Sequence, residues 1–273
     1  MGTSSNVVII GCGCIGGALV RGLAAAGRVA PSELIACDHH DDKLKDLERR
    51  CGCRTTRSAV EAAQQAAVAF IAVKPRALPE LLPALAPVLR PGTLVISTVA
   101  GARTTEFEAA LGSAIPVVRS MPNLPAVIGA GATAITAGAH ATEEHMQLAE
   151  SLLSAVGRVA RVEEDLMNAV TGLSGSAPAY VFLMIEALID GGIKVGIPRG
   201  ICRELVVQTV LGSARMLQTD DRHPAMLRDM VTTPGGTTIS AIHELESRSV
   251  RSAFIHAVEV ATERAAQLTA PKP

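Results

Sequence analysis

Two glycine-bearing stretches, one near each end of the chain, hold residue types able to bind an anion. The later one is Thr232-Thr-Pro-Gly-Gly-Thr-Thr-Ile-Ser240, set just before a helix-like run. Gly235 and Gly236 let backbone N–H groups point freely, the hydroxyls of Thr237 and Thr238 add donors, and the following helix adds partial positive charge. Such a seat needs no arginine, although a loop with a threonine N-cap has the same local pattern. The earlier stretch is Gly11-x-Gly13-x-x-Gly16, which follows the apolar run Val7–Ile10 and opens a helix-like run. A second apolar run, residues 34–37, ends in Asp38. Gly11 suits a tight turn, Gly13 the close approach of a pyrophosphate, Gly16 helix–strand packing, and Asp38 the hydroxyls of an adenosine ribose. A glycine-rich turn in any α/β protein is the alternative for this motif alone.

The elements that must position these residues alternate between strand and helix. VAFIAVKP (68–75), TLVISTVAG (93–101) and PVVRSMPNLP (116–125) read as buried strands with short helical segments between them. Their carboxyl ends, where an open parallel sheet binds its ligand, carry Val73-Lys74-Pro75, Thr98-Val99-Ala100 and Met121-Pro122-Asn123. Lys74 and Asn123 have a second reading as solvated loop residues. GATAITAG (131–138) reads as the last strand, and ATEEHMQLAESLLSAVG as a helix with a glycine stop. The expectation is an α/β dinucleotide-binding domain over 1–160 and an all-helical domain over 161–273.

The helical half needs a partner. In APAYVFLMIEALIDGGIKVG, Pro178 suits a first turn, and Glu186, Asp190 and Lys194 share one narrow face. The rest is apolar or small, so this helix must be buried on most sides. Too few helical residues remain to cover it, and a helix-swapped or closely packed homodimer is expected. A more ordinarily amphipathic helix follows over 199–217, and a last one over 250–268.

Composition narrows the partners. A net charge of -1 with dispersed Lys and Arg excludes the usual footprint of a nucleic-acid or anionic-membrane binder. Aromatics at 2% with no Trp argue against base-stacking and carbohydrate sites, leaving a small molecule. Charges are expected to break every apolar run short of membrane-spanning length. The strand starting near Met1 leaves no room for a leader, and six scattered cysteines suggest no disulfide framework. A reducing, cytoplasmic setting is expected. No metal site is expected from the Cys-x-Cys pairs, nor from His39 and His40 beside Asp41 and Asp42, which read as an exposed loop.

GLSGSAPAYVFLMIEALIDGGIKVGIPR and HPAMLRDMVTTPGGTTISAIHELE, with GCGCIG, AVKP and MPNLP in order before them, carry a likeness over almost the whole chain. The chain resembles the pyrroline-5-carboxylate reductase family, the last enzyme of proline synthesis. The resemblance implies a Rossmann-type domain joined to a helical dimerisation domain, with dimers assembling into larger rings such as decamers. It implies NADPH or NADH lying along Ile10, Gly11, Cys12, Gly13, Cys14 and Ile15, then Asp38, then Ala72, Val73, Lys74 and Pro75, then Thr98, Val99 and Ala100. It places the substrate at Gly235, Gly236, Thr237 and Thr238, which in the family face the cofactor of the other subunit. Glu164 and Met230 match family positions near the substrate pocket.

The substrate implied is a five-membered cyclic imine bearing a carboxylate. Its carboxylate would rest on the N–H groups of Gly236 to Thr238, and the Thr238 hydroxyl would reach the ring nitrogen. Hydride transfer then depends on positioning and on iminium character, with Thr238 as positioner and a dedicated general acid dispensable. Ser174 and Ser176 border the same region, Ser176 suiting a helix N-cap. Leu124 stands where many members carry Thr. Asp38 stands where NADPH-preferring members carry a small hydroxyl residue, and its charge would repel a 2′-phosphate and favour NADH, unless His39 and His40 soften the repulsion. Three rivals stay open: an imine reductase for another ring size, a β-hydroxyacid dehydrogenase, and a non-catalytic dinucleotide sensor. The second requires a lysine with an asparagine one turn on, and no such pair lies between Val170 and Lys194.

Overall fold

A computed structural model describes residues 5–269. Four short runs without a polar face, VVII (β1, Val7–Ile10), LIAC (β2, Leu34–Cys37), VAFI (β4, Val68–Ile71) and LVIS (β5, Leu94–Ser97), are buried along their whole length. Burial on both faces is what parallel strands under helices require. Around them stand β3 (Arg54–Thr56), β6 (Val117–Met121), β7 (Gly131–Ala137) and β8 (Gly157–Arg161). The sheet order is β3-β2-β1-β4-β5-β6-β7-β8. Among the described residues only β6 and β7 pair antiparallel.

The period of two splits each strand between two cores. Val7, Ile9, Phe70 and Ile96 meet α1 (Cys14–Ala25), α2 (Asp41–Cys51) and α6 (Glu143–Leu153) on one face. Val8, Ile10, Ile71 and Val95 meet α3 (Ala59–Gln64), α4 (Leu78–Leu85) and α5 (Thr104–Leu111) on the other. The order of strands reverses between β1 and β4, so their carboxyl ends open the crevice in which such sheets bind a ligand. This unit is a Rossmann-type α/β domain.

Two sequence expectations change. GATAITAG is not the last strand: β8 follows it and pairs parallel with β7, from Gly131 opposite Gly157 to Ile135 opposite Arg161. GRVAR lacks an apolar face because it lies at the sheet edge, and edge strands need none. The stretch Glu164–Lys194 is also long and apolar enough, by length and composition, to cross a membrane. The expectation that charges interrupt every such run fails here, because none lies between Asp165 and Glu186.

By compactness the chain divides after Ser176, with residues 260–269 belonging to the first unit. Residues 164–175 join that unit through α7 (Met167–Val170) and a π turn, Thr171–Gly175, whose Gly175 packs on Met121. Ser176 keeps a helical backbone (φ −88°, ψ −23°), so it does not serve as the extended N-cap expected of it. The second unit holds α8 (Ala177–Lys194), α9 (Arg199–Thr219), α10 (Pro224–Met230) and α11 (Thr237–Ser247), and α12 (Val250–Thr269) begins in it. No residue of α8 is buried within the chain, and Phe182 and Leu183 are 57% and 68% exposed. The burial that α8 demands has to come from outside this chain.

Candidate active site

The glycine loop joins β1 to α1 in a conformation its three glycines make possible. Gly11 has φ +95°, donates its N–H to the Cys37 carbonyl at 2.8 Å, and leaves no room for a Cβ, which would lie 2.6 Å from the Ala72 carbonyl oxygen. At Gly16 a Cβ would lie 1.8 Å from the Gly11 oxygen. At Gly13 the opposite holds: a Cβ would meet nothing within 4 Å. Gly13 is the N-cap of α1, and the first helical bond runs from the Gly17 N–H to the Gly13 oxygen at 2.8 Å. The N–H groups of Cys14 and Ile15 precede that bond, and the first turn carries no acidic residue. An open cradle of backbone donors at a helix N-terminus fits a pyrophosphate.

Asp38 stands at the end of β2, as expected, but faces inward. Its Oδ2 accepts the Cys12 N–H at 2.8 Å and meets Lys43 Nζ at 3.4 Å. Its Oδ1 accepts the His40 N–H at 3.0 Å and contacts His40 Nδ1 at 2.8 Å, with His39 Nδ1 at 3.7 Å. Burial opposes the charge, yet the side-chain and backbone bonds from His40, the Cys12 N–H and the Lys43 charge outweigh it and hold the carboxyl at about 2. These partners occupy the lone pairs that a ribose hydroxyl would need. Beside it, burial and the Asp38 charge push the Cys12 thiol up to about 12, so the loop's inner cysteine is neutral and unreactive. All six cysteines are free thiols.

The other expected cofactor contacts lie along the carboxyl ends of β4, β5 and β6. The Ala72 N–H donates to the Ile10 carbonyl at 2.8 Å and the Thr98 N–H to the Ile71 carbonyl at 2.9 Å, which ties the ends of β1, β4 and β5 together. Ala72 and Val73 are half-buried, Lys74 and Pro75 exposed, Thr98 half-buried and Ala100 exposed, while Val99 turns into the core. Asn123 is a bridge: its Nδ2 donates to the Ser174 carbonyl at 3.1 Å and its Oδ1 accepts the Ala132 N–H at 2.9 Å. Ile10 to Ile15, Asp38, Ala72 to Pro75, Thr98 to Ala100 and Asn123 thus lie at the carboxyl ends of β1, β2, β4, β5 and β6.

Glu164 lies in the same unit and performs a structural task. Its Oε1 accepts the Thr104 N–H at 2.8 Å and Arg119 Nη1 at 3.2 Å, and its Oε2 accepts the Thr104 hydroxyl at 2.5 Å. Burial works against this carboxylate, but the two Thr104 bonds and Arg119 together hold it below the usual range. Arg119, only 4% exposed on β6, has its charge met here. Sequence reasoning missed Arg119 and Thr104. The signal was a lone charged residue, Arg119, inside a short buried strand, which demands a partner.

In the helical unit the Thr-Pro-Gly-Gly-Thr-Thr turn closes on α11. Gly235 has φ +69°, and a Cβ on Gly236 would lie 2.6 Å from Thr233 Oγ1 and 3.0 Å from its carbonyl oxygen. Gly236, not a threonine, is the N-cap, and its own N–H is taken by the Thr233 oxygen at 3.0 Å. Of the donors expected over Gly236 to Thr238, the Gly236 N–H is therefore already engaged. Among the described residues, the N–H groups of Thr237, Thr238 and Ile239 lead α11 without an intrahelical acceptor, and the Thr238 hydroxyl has no partner. Met230 ends α10 and is 58% exposed.

A family model for pyrroline-5-carboxylate reductase dimerisation matches residues 164–268, and one described as NADP oxidoreductase, coenzyme F420-dependent, matches residues 6–101. The pyrroline-5-carboxylate reductase of Methanosarcina acetivorans is 41% identical over 265 residues, 97% of this chain and 98% of its own length. Among solved structures, a pyrroline-5-carboxylate reductase from Coxiella burnetii matches with a TM-score of 0.93 at 38% identity, over 98% of this chain and 100% of its own. Plasmodium falciparum pyrroline carboxylate reductase, solved with NADP bound, matches at 0.87 and 28% identity, over 98% of this chain and 100% of its own. The chain belongs to the pyrroline-5-carboxylate reductase family.

Proposed function

We propose, from that membership, that the chain reduces the cyclic imine 1-pyrroline-5-carboxylate to L-proline, the last step of proline biosynthesis. The observation that carries the proposal within this chain is the anion seat on α11. Its open N–H groups fit the substrate carboxylate, while the other unit holds a pyrophosphate cradle at the end of β1. When bound, a reduced nicotinamide dinucleotide supplies the hydride.

The residues of the chain bind and orient. Thr237, Thr238 and Ile239 hold the carboxylate through backbone donors, and the Thr238 hydroxyl fixes the ring nitrogen, so that the carbon of the C=N bond presents one face. Thr238 is a positioner, since a cyclic imine is basic enough to take its proton before reduction. Met230 and Gly235 border the ring. Glu164 acts at a distance, by holding the start of α5 and the charge of Arg119 on β6.

The same proposal includes a homodimer formed through the helical unit, supported by the exposed apolar α8 and by the dimerisation-family match. It also includes further assembly into a ring such as a decamer, and a reducing, cytoplasmic setting consistent with six free thiols. No nucleic acid or membrane enters it. NADPH and NADH both fit the cradle. An ionised Asp38 taken alone favours NADH, and the ammonium of Lys43 beside it carries the opposite charge.

The test is loss of reduced-nicotinamide absorbance with 1-pyrroline-5-carboxylate, run with NADH and NADPH in parallel and repeated with the six-membered cyclic imine and with a β-hydroxyacid. Turnover of the five-membered ring at the highest kcat/KM is expected. A preference for the larger ring would identify a different imine reductase, and hydroxyacid oxidation alone would overturn the proposal.

A further inference from the structure

We propose that His39, His40 and Lys43 form a seat for a 2′-phosphate on the adenosine ribose, so that this chain takes NADPH in spite of the acidic residue that ends β2. The inference rests on the dinucleotide reading of the glycine loop and adds what that reading lacks, the choice of cofactor. At the end of the second strand of such a fold an acidic side chain ordinarily selects the free 2′-hydroxyl, and a cation accommodates the phosphate. Here the acidic side chain is withdrawn from the surface. Asp38 is 5% exposed at its side chain, against 81% for His39, 54% for His40 and 42% for Lys43. What the corner presents to a ligand is two imidazoles and an ammonium.

The three are drawn together by the carboxylate beneath them. His39 Nδ1, His40 Nδ1 and Lys43 Nζ lie 3.7, 2.8 and 3.4 Å from the oxygens of Asp38. Asp38 thus acts as an internal counter-ion that holds the donors in one place, and its own charge is answered before a ligand arrives. Lys43 has two further N–H donors and each imidazole a second nitrogen, which suits an acceptor with three oxygens. Charges nearby include Asp41 and Asp42 in the first turn of α2, and Arg57, whose Nη1 lies 3.6 Å from Asp41 and offsets it.

A metal ion is the competing occupant, because ligand atoms of Asp38, His39 and His40 lie within 4.8 Å of one another. Lys43 Nζ, however, stands 3.4 Å from both Asp38 Oδ2 and His40 Nδ1, so a positive charge already occupies that space. The arrangement favours an anion.

Calorimetric titration of the full-length protein with adenosine 5′-monophosphate and with adenosine 2′,5′-bisphosphate tests this without any reduction step. The bisphosphate is expected to bind about tenfold or more tightly, the value of one or two charge-assisted hydrogen bonds. Lys43→Met and His40→Gln should each narrow the ratio, and the double variant should reverse it, since Asp38 then loses the ammonium and the imidazole that hold it. Equal or tighter binding of the monophosphate to the wild-type protein would overturn the seat, as would a ratio that neither variant changes. Binding of neither ligand by folded protein would overturn the seat together with the dinucleotide reading. Tight binding without turnover of the imine would count against the proposed substrate alone.

Discussion

Replacing Gly13 by alanine adds one methyl group where the protein itself has nothing within 4 Å, whereas the same change at Gly16 sets a Cβ 1.8 Å from the backbone oxygen of Gly11. The two variants should therefore separate binding from stability. At Gly13 the weaker helix cap costs about 0.5–1 kcal/mol, and the reduced freedom of the unfolded chain returns about the same, so the ligand-free protein should melt within a degree or two of wild type. The methyl occupies the space assigned to the pyrophosphate, and loss of one charge-assisted hydrogen bond weakens binding by about 10- to 100-fold. With NADPH at about 100 times the wild-type Kd, ligand stabilisation is about 2.7 kcal/mol in wild type and falls to about 0.4–1.4 kcal/mol in the variant. At roughly 2–4 °C per kcal/mol, a cofactor-induced rise in Tm of about 5–10 °C should shrink to a few degrees or less. Gly16→Ala should behave the other way, because the Gly11 carbonyl is fixed by the bond from its own N–H to Cys37. Overpacking against it costs about 3 kcal/mol, a drop in Tm of roughly 6–12 °C before any ligand is added. Differential scanning calorimetry with and without cofactor reads both quantities. A full cofactor shift in Gly13→Ala would refute the placement of the phosphates on α1, and a wild-type Tm in Gly16→Ala would refute the tight packing of α1 on the Gly11 carbonyl.

Glu164→Gln should destabilise the protein by about 3 kcal/mol in denaturant titrations, the lower end for a broken buried pair, because Arg119 is left buried without its partner. Adding Arg119→Met should recover part of that loss, and simple additivity of the two changes would show that the pair does not interact. Asp38 is ionised in the folded protein down to about pH 2, against 3.8 ordinarily, so the stability it contributes is complete above the ordinary value and is lost as pH falls toward the lower one. The difference corresponds to about 2 kcal/mol, which Asp38→Asn should abolish; identical acid melting curves for the two proteins would contradict the buried network. Gly236→Ala forces its Cβ against Thr233 and shifts the turn, and kcat/KM for the imine should fall by roughly 10- to 100-fold while the cofactor KM stays put.

Much of the first unit was legible from sequence because its central strands β1, β2 and β4 are unmixed apolar runs. Val7–Ile10 and Leu34–Cys37 carry their boundaries in Gly11 and Asp38. GRVAR was not legible, since an edge strand half open to water needs no apolar pattern. The pairing of Glu164 with Thr104 and Arg119 joins positions far apart in sequence, and spacing along the chain carries no trace of it. At the Thr-Pro-Gly-Gly-Thr-Thr turn the residue types were readable, but which N–H groups remain open depends on how the turn closes. Only the bond from Gly236 back to Thr233 shows that the donors begin at Thr237. At Asp38 residue type and position were readable and direction was not: the side chain turns under the glycine loop toward the Cys12 N–H, leaving its histidine and lysine neighbours at the surface.

The most direct test of the central claim follows a single atom. The full-length protein is incubated with 1-pyrroline-5-carboxylate and a nicotinamide cofactor deuterated at the transferable position, and the product is examined by mass spectrometry and NMR. The account predicts L-proline carrying one deuterium on the ring carbon beside nitrogen that does not bear the carboxylate. Proline without the label, or no proline from folded protein that still binds the cofactor, would contradict it.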